Sequence, residues 1–399
     1  MDETLLRSET LPRSRLSSDL IRLRRFLHRH PELGFEEHQT ARLVARKLAQ
    51  LGLVVATEVG GTGVVGLLPG PAPGPTVALR ADMDALPLQD QKNVPYASGI
   101  PGKMHACGHD AHVACLLGAA ALLAELRASL AGSVKFIFQP AEETNQGARA
   151  MIRDGVLEHP RVDAIVALHV NAELPSGTVV AKEGPIMAAE DNFTLRIKGE
   201  SAHAASPHRG ADAIVAAAQV VMALQTVVSR NLDPLEAAVV SICTINGGRS
   251  RNILCDNVEM QGTVRTLSPQ VRRSIPARIR NILESLAAGY GTGAELEYQP
   301  ENPPVFNDPY LTSICREAIC QTMGEKTLAE TSGTMASEDF SFFQECVPGT
   351  FLWLGVRKEP EESIPLHSPL FDLDEPAMEV GATVLANSAI YLLKNLSLR

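Results

Sequence analysis

Apolar positions three and four apart open the readable pattern: Leu16, Leu20, Leu23, Phe26 and Leu27, with arginines between them, predict an amphipathic helix over 16–30 that stops at Pro31. A second helix is predicted over 36–51, ended by Gly52. Short β-type runs then predict strands over 53–58, 64–68 and 76–80, and the Pro/Gly-rich segment 69–75 reads as a surface loop between them. Val113, Leu116, Leu117, Ala120, Leu123 and Leu126 recur like the face of a buried helix. Strands over 133–139 and 162–168 follow, with a short helix over 146–153 between them. Strand and helix patterns alternate, which predicts an α/β domain whose mainly parallel sheet is flanked by helices.

The character changes near Gly184-Pro185. Strand patterns over 192–198, 237–245, 257–266 and 294–299, with helices over 211–228 and 269–288, give an α+β order with hairpin-like spacing. That stretch is large enough to fold as a separate insert. Asn302-Pro303-Pro304 reads as a return linker, after which helices over 309–323 and 375–395 flank a strand over 350–355. The expected division is 1–185 and 301–399 as two parts of one domain, with 186–300 as a smaller inserted α+β domain, and 399 residues suits two domains.

Composition narrows the function classes. Hydrophobic content of 45% and charged content of 21% describe an ordinary globular chain able to bury a large core. A net charge of −10 offers no electrostatic footprint for nucleic acid or an anionic membrane, so neither is an expected partner. No run approaches the ~18 apolar residues of a membrane span. The N-terminus, M-D-E-T-L-L-R, is acidic early and lacks the apolar core of a secretory signal. Seven cysteines (107, 115, 243, 255, 315, 320, 346) show no disulfide-scaffold spacing, which points to reduced thiols and a cytoplasmic setting.

The chemistry concentrates in residues 104–112, M-H-A-C-G-H-D-A-H. Cys107 and His109 stand two apart around Gly108, a spacing that lets a thiolate and an imidazole face one ion. The alternative is a buried free cysteine whose neighbouring histidines satisfy loop carbonyls. Three separate strand patterns run into further metal-ligand chemistry: Asp82/Asp84, Glu142/Glu143 and His169. Ligands of parallel sheets bind outside the carboxyl ends of the strands, so these residues are expected to meet. A metal-dependent hydrolase needs ligands, an open position and a base that is not a ligand; in Glu142-Glu143 one carboxylate can bind while its neighbour takes a proton. Asp84 suits a partner that fixes an imidazole tautomer. His367, before Ser-Pro in a loop, is a further ligand candidate, and His203, in the small-residue loop S-A-H-A-A-S, suits a donor to an oxyanion. His28 and His30 read as cations at a helix end, His38 and His159 as surface residues, and His105 and His112 as lining of the 104–112 cluster.

R-A-D-M-D-A-L-P (80–87), M-H-A-C-G-H-D-A-H (104–112), F-Q-P-A-E-E (138–143), A-L-H-V (167–170), S-E-D-F-S (337–341) and L-H-S-P (366–369) occur in that order, with H-x-H-P-E-L-G-F-E-E (28–37) before them and G-P-I-M-A-A-E-D-N-F (184–193) among them. Together they resemble the amidohydrolase branch of the aminoacylase/carboxypeptidase-type dinuclear metallopeptidases. That branch includes hippurate hydrolases, N-acyl-L-amino-acid amidohydrolases, N-acetyl-diaminopimelate deacetylases and plant auxin-conjugate hydrolases. The resemblance implies a catalytic domain with an inserted satellite domain that serves as a lid or for dimerisation. It implies two divalent ions held by Cys107, His109, Glu143, His169 and His367, with Cys107 where other branches carry a bridging aspartate. It also implies Glu142 as general base and then general acid, and His203 as donor to the tetrahedral intermediate, within the subunit or across a homodimer or larger homo-oligomer. Asn252 and Arg265 fall where relatives engage the substrate carboxylate or the interface. A thiolate among the ligands favours zinc or cobalt, with manganese and nickel open. The implied reaction cleaves small N-acyl-L-amino acids to a carboxylic acid and an amino acid. The alternatives are a dipeptidase, carboxypeptidase or N-carbamoyl-amino-acid hydrolase on the same scaffold, or a metal-binding protein without catalysis.

Overall fold

The computed structural model describes residues 16–358 and 362–397, so the acidic N-terminal segment lies outside the described residues. The chain forms two compact units: Met1–Gly184, Phe306–Ser332 and Asp339–Arg399 make the first, Pro185–Val305 and Gly333–Glu338 the second.

The first unit holds β1 (Val54–Val59), β2 (Gly63–Pro69), β3 (Ala72–Asp82), β4 (Ala131–Gln139), β5 (Ala164–Pro175), β6 (Val179–Val180) and, late in the chain, β11 (Gly349–Arg357). They form one seven-stranded sheet in the order β1-β2-β4-β3-β5-β11-β6. The four central strands run parallel, while β1, β2 and β6 pair antiparallel at the edges. Residues 76–82 of β3 and the whole of β11 up to Val356 are near-continuously buried, the pattern of strands covered on both faces. Helices α1 (Leu16–Arg29), α3 (His109–Glu125) and α9 (Ala377–Leu396) pack on one another, and α2 (His38–Gln50) covers β1 and β2. Helix α3 is apolar all round and buried from His109 to Leu123. Gly118 permits its close contact with α9, because a Cβ there would stand 2.8 Å from the Ala382 methyl.

Parallel register carries the chemistry-bearing residues to one end of the sheet. Asp82 pairs with Gln139 at the carboxyl ends of β3 and β4, and His169 pairs with Trp353 across β5 and β11. The expected loop over 69–75 is only partly a loop. Strand β3 begins at Ala72, which pairs with Ala131 before an irregularity and resumes at Thr76. Its first three residues are exposed, where prolines cost few ladder bonds.

The second unit contains β7 (Ala189–Lys198), β8 (Ala238–Gly247), β9 (Asn257–Thr266) and β10 (Gly293–Pro300) in an antiparallel sheet of order β10-β7-β9-β8. Strand β7 alternates buried and half-buried side chains from Ala189 to Ile197, as a sheet with one covered face requires. Helices α5 (Ala213–Asn231) and α6 (Pro269–Gly289) supply the cover. Asp212 caps α5 by accepting the Ile214 N–H at 2.9 Å, and Ser268 caps α6. Contrary to the sequence expectation, α5 is long and apolar enough to cross a membrane by length and composition. Its Ala213, Ala216, Ala217, Val220, Leu224 and Val227 face is buried in this unit's core, as in the core helix of a globular domain. Gly333–Glu338, which the boundary at 301 assigned to the first domain, joins the second unit, because Ala188 N–H bonds Ala336 O at 2.8 Å and Thr334 N–H bonds Ile186 O at 3.0 Å.

Candidate metal centre

Gly108 sets the local geometry. It stands at φ +85° as the residue before α3, and a Cβ there would lie 2.5 Å from Val170 Cγ2, so only glycine fits between helix and strand. The turn puts Cys107 and His109 on either side of it. Cys107 Sγ lies 3.5 Å from His169 Nε2.

Both histidine tautomers follow from their outer hydrogen bonds. His169 Nδ1 donates to its neighbour's carbonyl, Val170 O, at 2.8 Å, and His109 Nδ1 donates to Asp84 O at 2.9 Å with Asp84 Oδ1 at 3.2 Å. In its neutral form each ring therefore directs its Nε2 towards the site, the arrangement that orients imidazole ligands in metal centres. His109 Nε2 is buried without a hydrogen-bond partner, and so is Glu143 Oε1. From His109 Nε2 the Glu142 carboxylate is 3.9 Å and the Glu143 carboxylate 4.0 Å away. His367 Nε2 lies 3.4 Å from Glu143 Oε1.

These side chains fall into overlapping sets whose ligand atoms lie within 4.8 Å of one another: Cys107 with His109 and His169, Cys107 with Glu143 and His367, and His109 with Glu142 and Glu143. Burying orphaned carboxylate and imidazole atoms in this way is costly unless a cation satisfies them. The donors are of types that would suit divalent ions, and Cys107 belongs to two of the sets. Burial, then the Glu143 charge, pushes the Cys107 thiol up, so a bound cation would be needed to ionise it at neutral pH. The Cys107 sulfur and the Glu143 carboxylate beside His367 raise its pKa to about 10. Burial draws His109 down, but Asp82 and Cys107 outweigh it and hold the ring well above the usual range.

Asp82, the other strand-end aspartate, is occupied. His112 Nε2 accepts the Val170 N–H at 2.9 Å, so His112 Nδ1 carries the proton that it gives to Asp82 Oδ1 at 2.5 Å, and Arg80 binds Asp82 Oδ2 at 2.6 Å. His112 thus ties α3 to β5 beside His169. His105 is buried with neither ring nitrogen hydrogen-bonded, and burial pushes its pKa down to about 4, so the ring is neutral.

His28, read from the sequence as a cation at a helix end, lies inside the protein. It is buried, with Nδ1 2.7 Å from Asp110 Oδ2 and Nε2 2.8 Å from Lys92 Nζ. Arg24, also buried, donates to Asp110 Oδ2 at 2.8 Å, and Lys92 donates to Phe371 O. This buried knot fixes the first turn of α3 against α1 and the segment following His367. Its members come from distant parts of the chain, and nothing in local sequence pairs them.

In the second unit, His203 is exposed and its Nδ1 accepts the Ala205 N–H at 3.0 Å, which leaves Nε2–H as the ring's donor. Asn252 is exposed, and its Oδ1 accepts from Ser250 at 2.6 Å. The Arg265 guanidinium donates to Glu190 at 2.9 Å and to Ser337 at 2.8 Å, both within this unit.

A mainly parallel α/β sheet with thiol, imidazole and carboxylate donors converging at one end presents a candidate metal site of the kind a metal-dependent hydrolase requires. Comparison with known proteins agrees. Residues 78–390 match Peptidase family M20/M25/M40. The chain is 43% identical to the N-acetylcysteine deacetylase of Bacillus subtilis (strain 168), over 94% of this chain and 97% of that protein. It is 38% identical to the IAA-amino acid hydrolase ILR1-like 2 of Arabidopsis thaliana, over 94% of this chain and 85% of that protein. The crystal structure of the Bacillus subtilis YxeP protein, described as a dinuclear metal-binding peptidase of the M20 family, superposes with a TM-score of 0.85 at 39% identity, covering 96% of this chain and 99% of that one. The chain belongs to Peptidase family M20/M25/M40, and it is an enzyme that hydrolyses amide bonds.

Proposed function

We propose that this enzyme cleaves N-acyl-L-amino acids, N-acetyl or hippurate-like, to a carboxylic acid and a free amino acid, with Cys107, His109, Glu143, His169 and His367 holding two divalent ions. The observation that carries the reading is the convergence of two tautomer-fixed imidazoles on a shared cysteine, with two carboxylates 3.9 and 4.0 Å from His109 Nε2. When bound, the ions lower the pKa of water towards ~7 and polarise the substrate carbonyl. Glu143 belongs to the set with Cys107 and His367 and Glu142 does not, which supports Glu143 as ligand and Glu142 as base. Glu142 takes a proton from the attacking water and returns it to the leaving nitrogen. The His203 Nε2–H is the donor proposed for the oxyanion of the tetrahedral intermediate. The sulfur ligand favours zinc or cobalt, then manganese, with nickel a further candidate.

The names of the relatives support the substrate class, since N-acetylcysteine and IAA-amino acids are both N-acylated amino acids. The test is a screen of protein loaded in turn with zinc, cobalt, manganese and nickel against acetyl-, benzoyl-, long-chain acyl- and indoleacetyl-amino acids. Release of the free acyl acid is expected. Cleavage confined to dipeptides, or ammonia and CO₂ from carbamoyl analogues alone, would overturn it. Seven free cysteines support a reducing, cytoplasmic setting.

We also propose a homodimer through the second unit. Strand β8 is the edge of its sheet and leaves Val239 and Ile245 exposed, and Met222 on α5 is 69% exposed. An apolar edge strand of that length is a template for pairing with a second copy. Light scattering is expected to give twice the chain mass, and Ile245→Lys to weaken the dimer. A parent protein that stays monomeric at all concentrations contradicts this.

A further inference from the structure

The turn that carries Glu142 has an unusual support. Ala141 is buried at φ +50°, the left-handed region that an alanine enters only when its surroundings impose it. Its N–H donates to Glu37 Oε1 at 2.9 Å. Glu37 is fully buried, and Thr62 Oγ1 donates to its other oxygen. Burial pushes the Glu37 carboxyl up to about 7.

Glu37 precedes α2 in the position where a side chain normally caps the helix, yet it makes no cap bond. Glu32 does that work, accepting the N–H groups of Gln39 and Thr40, each at 2.9 Å. The Glu37 side chain is thereby released to reach a residue 104 positions away. Gly34 comes equally close, since a Cβ there would stand 3.0 Å from both Cα and Cβ of Ala141. Two residues further on, the Glu143 N–H donates to Asp84 Oδ2 at 3.0 Å. Glu142 therefore sits between two peptide groups, each held by a different carboxylate.

We infer that Glu37 is a positioning residue, a buried strut that holds the Ala141 turn and so sets where the Glu142 carboxylate stands. The functional half of this inference rests on the reading of Glu142 as the base. A carboxylate rather than an apolar side chain is needed, because the Ala141 N–H is buried and requires an acceptor. The motif H-x-H-P-E-L-G-F-E-E thus acquires a role through three of its members: Glu32 as cap, Gly34 as close contact and Glu37 as strut.

The test compares Glu37→Ala, Glu37→Gln and Gly34→Ala for kcat, KM, metal content and hydrogen exchange across residues 141–145. Glu37→Ala is expected to lower kcat on the order of tenfold to a hundredfold, as a misplacement of up to about 1 Å of a catalytic group does. KM and bound metal should hold, and exchange over the turn should quicken. Glu37→Gln keeps an acceptor for the Ala141 N–H and should recover most of kcat. Should Glu37→Ala fail to fold, Gly34→Ala presses on the same turn from the other side and should lower kcat with the metal retained. Undiminished kcat with unchanged exchange overturns the inference, and so does a loss of activity that merely tracks lost metal. Exchange reports on the strut without reference to catalysis. Quickened exchange in Glu37→Ala alongside an active Glu142→Gln would uphold the strut and overturn only the assignment of Glu142.

Discussion

Glu142→Gln is expected to lower kcat by about a thousandfold, the scale of a lost general acid–base group, while the protein keeps its full metal content. Glutamine preserves the length and polarity of the side chain but takes up no proton at neutral pH. Glu142 lies 3.9 Å from His109 Nε2, whereas Glu143 lies 4.0 Å from it and also 3.4 Å from His367. Steady-state kinetics with elemental analysis of the same sample decides the matter. Loss of metal in Glu142→Gln, with metal retained in Glu143→Gln, would mean that the two glutamates have exchanged roles.

Cys107→Ala is expected to do more damage and of another kind. Its sulfur belongs both to the set with His109 and His169 and to the set with Glu143 and His367, so its removal weakens both ion positions at once. Activity should fall to background and metal content should fall with it, because ligands and bound ion stabilise the site as one unit. Cys107→Asp is the informative companion, as it supplies an oxygen where related branches carry aspartate. It should restore binding with a shift from softer ions towards manganese. Loading of the parent protein should improve as pH rises, because a proton competes with the ion at His367, whose pKa is raised to about 10. Full metal content and activity in Cys107→Ala would remove the shared ligand from the mechanism.

The centre was legible in the sequence where its residues end strong local patterns. Asp82, Glu142 and Glu143 follow apolar runs that end as strands β3 and β4. His169 instead lies inside β5, which continues to Pro175 beyond the expected end at 168 and is brought level with the end of β3 by the parallel register. Cys107 and His109 were legible through a glycine whose positive φ the turn requires. The supports were not legible, because they are long-range. Glu37 reaches Ala141 and His28 reaches Asp110 across 104 and 82 residues of chain, and no period or spacing signals such a pair. The motif over 28–37 was visible without its partners. The bonds of Arg265 to Glu190 and Ser337 likewise span 75 and 72 residues and carry no local signal. The strand start at Ala72 was hidden by prolines that suit a loop equally well.

Crystals grown with zinc or cobalt and measured at the metal's absorption edge provide the most direct measurement. Two anomalous peaks about 3.5–4 Å apart are expected, as in two-metal hydrolase sites, with Cys107 Sγ between them and His109 Nε2, His169 Nε2, Glu143 and His367 around them. No peak there, a single peak, or a peak pair ligated by Glu142 in place of Glu143 would contradict it.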